Sequence, residues 1–131
     1  MSALIRKLDT LDTPTQPEPQ PPFIEVTFNG SISDAKFHVT GGGFLPNRPP
    51  TNQGVAIRVV DANALIETRR EFTASSSAGA IDHVVEGDLT GAVLNSAGFA
   101  TIAISATDGR SNPNDKTGFL QSNTVSKDIK A

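Results

Sequence analysis

The sequence predicts an all-β chain folded as a two-sheet antiparallel β-sandwich of about seven strands, on three observations. Short runs of alternating apolar and polar residues recur every 8 to 15 residues or so. Eleven glycines and nine prolines, with many Ser, Thr and Asn, supply turns, while 37% apolar residues are enough for one modest core. Residues 23–131 show no convincing helical period. A small closed barrel is the other architecture such strands would build.

Ile24, Val26 and Phe28 alternate with Glu25 and Thr27, the period-two pattern of a strand with one buried face. Lys36-Phe37-His38-Val39-Thr40 repeats it. The run Gly41-Gly42-Gly43 ahead of Phe44 predicts a bulge or sharp bend where a side chain would obstruct, and residues 46–52 predict a loop. Val55, Ile57 and Val59 form the next inward face. Asp61-Ala62-Asn63-Ala64 predicts a turn into a strand over residues 65–75, which Arg69, Arg70 and Glu71 mark as solvated or at an edge. Residues 75–79 are a small-residue turn, 81–85 a short strand and 86–91 a loop. Ala100, Ile102, Ile104 and Ala106 share one face of a strand within residues 98–107, a long polar loop spans 108–118, and the last strand covers 122–129.

Residues 1–22 are of a different kind. Leu4, Ile5, Leu8 and Leu11 lie within MSALIRKLDTLD, and the spacing of Leu4, Leu8 and Leu11 puts three leucines on one face of a short helix. A helix of about ten residues is marginal in water, so such a tip is expected to order only when docked. The tether, residues 13–22, holds Pro14, Pro17, Pro19, Pro21 and Pro22. These favour an extended, semi-rigid spacer of about 3 Å per residue, long enough to hold the tip roughly 25–30 Å from the domain. The expected organisation is an N-terminal anchoring arm over residues 1–22 and one domain over residues 23–131.

Arg6, Lys7 and Asp9 interrupt the apolar residues of the tip, so no export signal is visible, and no run is long enough to span a bilayer. The expectation is synthesis in a cytoplasm. Net charge of −3, with the basic residues scattered, argues against nucleic acid as a partner. The lack of cysteine removes disulfides, thiol catalysis and thiolate metal sites.

Catalytic chemistry finds little footing. His38 takes the outward parity of its strand, His83 lies on a short strand, and neither sits in a recognisable nucleophile or metal-ligand spacing. Glu67, Glu71, Glu86 and Asp88 offer carboxylates for a glycosidase pair, yet the chain lacks the Trp and Tyr that usually line a sugar cleft. No enzyme activity, catalytic residue or cofactor is expected. Asp108, Asn112, Asn114 and Asp115 gather the hard oxygens that calcium prefers, without EF-hand spacing. The same residue types also serve any exposed hairpin loop. Gly41 to Gly43 lacks the Lys-Ser/Thr of a phosphate loop.

Phe37-His38-Val39-Thr40-Gly41-Gly42-Gly43-Phe44-Leu45-Pro46-Asn47, Val55-Ala56-Ile57-Arg58-Val59, Ala106-Thr107-Asp108-Gly109 and Ser122-Asn123-Thr124-Val125 together resemble bacterial and phage immunoglobulin-like modules, including those of the IPT/TIG type. The resemblance covers residues 23–129 and implies an immunoglobulin-like sandwich without the antibody-type disulfide and tryptophan. Such modules serve as spacers, adhesion units and virion surface domains. The expected function is therefore a non-enzymatic accessory protein of a phage virion, in head decoration or on the tail surface. Its arm would dock on the major capsid or tail protein, and it would be a homo-oligomer so that several weak arms gain avidity. The alternative is an adhesion or carbohydrate-binding module of a bacterial surface or secreted protein.

Overall fold

Alternating side chains become seven strands in the computed structural model, which describes residues 20–131. They are β1 (Phe23–Gly30), β2 (Ala35–Gly42), β3 (Val55–Asp61), β4 (Ile66–Thr73), β5 (Ile81–Gly87), β6 (Phe99–Thr107) and β7 (Val125–Lys130). Leu4, Ile5, Leu8 and Leu11 and most of the tether lie outside the described residues. All pairings are antiparallel and build two sheets, ordered β1-β2-β5 and β4-β3-β6-β7. The chain is thus an immunoglobulin-like β-sandwich in which β4 stays with β3, whereas constant-type antibody domains place the fourth strand beside the fifth.

Period two decides what is buried. Val26, Phe37, Val39 and Val85 from one sheet meet Ile57, Val59, Ile102 and Ile104 from the other, all nearly inaccessible to water. Phe28 covers Phe37, with ring centroids 5.2 Å apart and planes tilted by 48°.

A sandwich leaves four strand edges open, and this one closes each side with side chains. On one side, edge strands β4 and β5 face each other: the Glu71 carboxylate lies 2.7 Å from His83 Nε2, and the Arg69 guanidinium donates to the Glu86 carbonyl. Glu71 and Arg69 share the inward parity of Ile57 and Val59, so charge at the edge of the core joins the sheets and blocks a further strand. On the other side, the Asn123 amide accepts from Ile24 N–H at 2.8 Å and donates to the Ile24 carbonyl at 3.0 Å, imitating a strand partner for β1.

Three details differ from the sequence reading. Gly41 and Gly42 continue β2 against Ile24 and Phe23, and the bend comes at Gly43 with φ of 80°. A Cβ on Gly41 would lie 2.2 Å from the Phe23 carbonyl oxygen, so this glycine permits a close strand approach. The irregularity falls between Val59 and Val60, where nothing in the sequence marks it. The last strand begins at Val125, since Ser122 is held instead by its hydroxyl accepting from Ala106 N–H at 2.9 Å.

Antiparallel alternation gives the sandwich two ends. At the arm end lie the start of β1 and the loops of residues 43–54, 74–80 and 108–124. At the far end, about eight residues or 25 Å of strand away, lie the turns of residues 31–34 and 62–65 and the loop of residues 88–98. Pro22 is fully buried at the arm end, so the described arm joins the domain one residue before β1.

Candidate functional site

The loop after β6 was the sequence's best ligand candidate, and its residues are engaged with one another. Asp108 has a fully inaccessible side chain that accepts from Leu45 N–H at 2.8 Å and from Arg110 Nε at 3.0 Å, with Arg110 Nη2 2.8 Å away. Burial pushes its carboxyl pKa up, but the bonds from the Arg110 guanidinium and from the Leu45 and Arg110 amides outweigh it and hold the group below the usual aspartate value. The same guanidinium donates to the Gly43 carbonyl at 2.8 Å, so one ion pair ties the 43–54 loop to the 108–124 loop. Asn112 accepts from Asn114 N–H at 3.1 Å, and Asp115 accepts from the Thr117 hydroxyl and amide, which lower its pKa. Asp108 is thus committed to Arg110 and the Leu45 amide, while Asn112 and Asp115 accept from their own turns, and no group of three His, Asp or Glu side chains placed to hold a metal ion occurs among the described residues.

The remaining carboxylates are likewise dispersed. Glu67 lies on the outer face of the four-stranded sheet, Glu71 between the sheets, and Glu86 on the outer face of the three-stranded sheet. Asp88 caps Thr90, whose backbone and side-chain hydrogen bonds hold it below its usual pKa. His38 pairs with Asp82 at 2.6 Å on the exposed face of β2.

Two surface features that the sequence did not disclose stand out. The first is a groove of about 790 Å³ on the outer face of β3, β4 and β6, within the size range of ligand clefts. Ala56 and Thr107, neighbours in the β3–β6 register, form a floor of small side chains. Phe72 and Arg70, opposite Ala56 and Arg58, stand along one side, and Phe119 stands on the other. Leu120 N–H donates to the Arg110 carbonyl at 2.7 Å, and the Thr107 hydroxyl donates to the Leu120 carbonyl at 2.7 Å. Leu120 is thereby buried while Phe119 is left 47% exposed.

Charge in the groove is predominantly positive. Arg58 Nε donates to Glu67 at 2.7 Å and Arg70 Nη2 at 2.9 Å, and the Arg70 bond, against some burial and with help from Arg58, depresses the Glu67 pKa. Arg48 lines the same groove and forms no ion pair among the described residues. Asp108, at its edge, is committed to Arg110, which leaves three guanidinium groups facing one carboxylate.

The second feature is an apolar far end. Leu65 and Ile66 are 85% and 59% exposed, and Val93 and Leu94 are also exposed. Asp61, buried at the end of β3, brings the two segments together: it accepts from Asn63 and Ala64 in its own turn and from Val93 N–H at 2.9 Å. Asn63 Nδ2 then donates to the Val93 carbonyl at 2.8 Å. Leu65 closes the turn with φ of 57°, a left-handed conformation that glycine or asparagine normally supplies. An exposed leucine is held there at a cost of roughly 1 kcal/mol. Leu65→Gly should therefore raise folding stability by about 0.5–1 kcal/mol in urea denaturation, and a loss of stability would show that the leucine supports the turn.

The pair Leu65-Ile66, adjoining a polar turn, was the available sequence signal for this end. Phe119 within a polar loop was the signal for the groove, but its company with Phe72 and Arg58 depends on pairing across three strands. No protein family, curated protein or solved structure matches the chain.

Proposed function

We propose that this chain is a non-enzymatic display module of a large assembly, a phage virion in the first instance. Its N-terminal arm anchors it, and the far end of its sandwich is turned outward. The observation that carries this reading is the placement of the two ends. The arm enters at one end of the sandwich, and Leu65, Ile66, Val93 and Leu94 are exposed at the other. An apolar tip held by a buried carboxylate and a strained turn suits contact with a partner better than solubility. The resemblance of residues 23–129 to immunoglobulin-like modules supplies the virion setting, where anchoring at one end and recognition at the other is a workable division.

Deletion tests the anchor, and burial of Pro22 calls for a cut that leaves residues 20–22 in place. A chain lacking residues 1–19 should keep its cooperative melting transition and lose at least about tenfold in occupancy of the particle, since several apolar side chains leave the interface. Full occupancy by the folded truncated chain would overturn the reading.

A further inference from the structure

We propose that the groove formed by Ala56, Arg58, Arg70, Phe72, Phe119 and Arg48 receives residues 4–12 of a second copy of this chain, so that copies are linked arm into groove. The inference rests on the anchoring role of the arm and names the surface that the anchor finds.

Three observations favour this occupant. The groove combines two phenylalanines with a floor of small side chains, a surface into which aliphatic side chains can insert, and the sequence spacing of Leu4, Leu8 and Leu11 predicts a matching row. Charge is compatible: in residues 4–12 Asp9 and Asp12 balance Arg6 and Lys7, and these two carboxylates, with Glu18 of the tether, are available to Arg48, Arg58 and Arg70, which face only Glu67. Position also fits, because the groove opens toward the 108–124 loop at the end where Pro22 enters the fold.

The proline tether favours a neighbour over the same copy. Reaching its own groove would require the chain to cross the end of the sandwich and double back along the outer face of the other sheet. Pro14, Pro17, Pro19, Pro21 and Pro22 disfavour such a reversal, while an extended spacer of roughly 30 Å carries the tip away from its own domain. A heterologous contact of this kind closes into a ring or propagates as a lattice, and each copy both gives an arm and receives one.

The test uses the full chain carrying the photo-crosslinking residue p-benzoylphenylalanine in place of Leu8, mixed with an equal amount of isotope-labelled chain. Crosslinks between light and heavy chains that map to peptides containing Phe72 or Phe119 are expected. In Phe119→Asp, whose side chain is exposed and outside the core, self-association measured by sedimentation should weaken at least about tenfold with an unchanged melting temperature. Crosslinks confined to single chains, or an unaltered association of Phe119→Asp, would overturn the inference. If the arm deletion abolishes incorporation while Phe119→Asp incorporates normally, the anchor reading stands and the groove is not its receptor. If the arm deletion incorporates normally, the anchor reading itself falls.

Discussion

Phe37→Ala should destabilise the folded chain by about 3–5 kcal/mol, a large share of the 5–15 kcal/mol typical of a domain. Phe37 is 2% exposed on the central strand of the three-stranded sheet, with β1 and β5 bonded on either side, so neither neighbour can close over the space left behind. Its ring meets Phe28 at 5.2 Å and lines, with Val59, Val85 and Ile102, a cavity of about 180 Å³ near the far end. Truncation would merge the lost ring volume with that cavity, adding cavity surface to the lost transfer energy. Phe37→Leu keeps much of the volume and should lose about 1.5 kcal/mol or less. Urea denaturation at constant slope measures both, and a loss below about 1 kcal/mol for the alanine variant would mean that the strands repack around the site.

Asp108→Ala should lose about 2–4 kcal/mol, because it strands the Leu45 amide and a guanidinium that is only 27% exposed. Asp108→Asn keeps an acceptor for Leu45 and should lose roughly half as much. The effect has a pH signature. The folded-state pKa of Asp108 lies below its unfolded value, so on acidification the unfolded chain takes up the proton first. The stabilisation is fully present above the unfolded pKa and fades as pH falls below about 4 toward the folded pKa. Glu67, Asp88 and Asp115 are shifted in the same direction, so wild-type stability falls for several reasons at once. The difference between wild type and Asp108→Asn isolates one of them, and it should shrink between about pH 5 and pH 2. A difference independent of pH would show that the carboxylate acts by shape alone.

Much of the fold was legible because burial in a sandwich is a local property of the chain. Val55, Ile57 and Val59, and Ala100, Ile102, Ile104 and Ala106, announce their inward faces by period two, and all seven are buried. The charges of Arg69, Arg70 and Glu71 marked an edge strand, and β4 is one. The calcium candidates show the limit of such reading. Asp108, Asn112, Asn114 and Asp115 are close in sequence, yet Asp108 turns inward to a residue 63 positions away while Asn112 and Asp115 cap their own turns. Composition suits either use, and only the packed loop decides.

By itself, then, the sequence determined the strand runs, the inward faces and the distinct character of residues 1–22, because each depends on neighbours within a few positions. The tertiary structure decided the rest. It assigned β4 to the sheet of β3, joined Glu71 to His83 across two sheets, gathered Phe72, Arg58 and Phe119 around one groove, and put Leu65 and Val93 together at the end opposite the arm. These contacts join residues separated by long stretches of chain, and their partners are chosen by sheet register and loop packing, which no local pattern encodes.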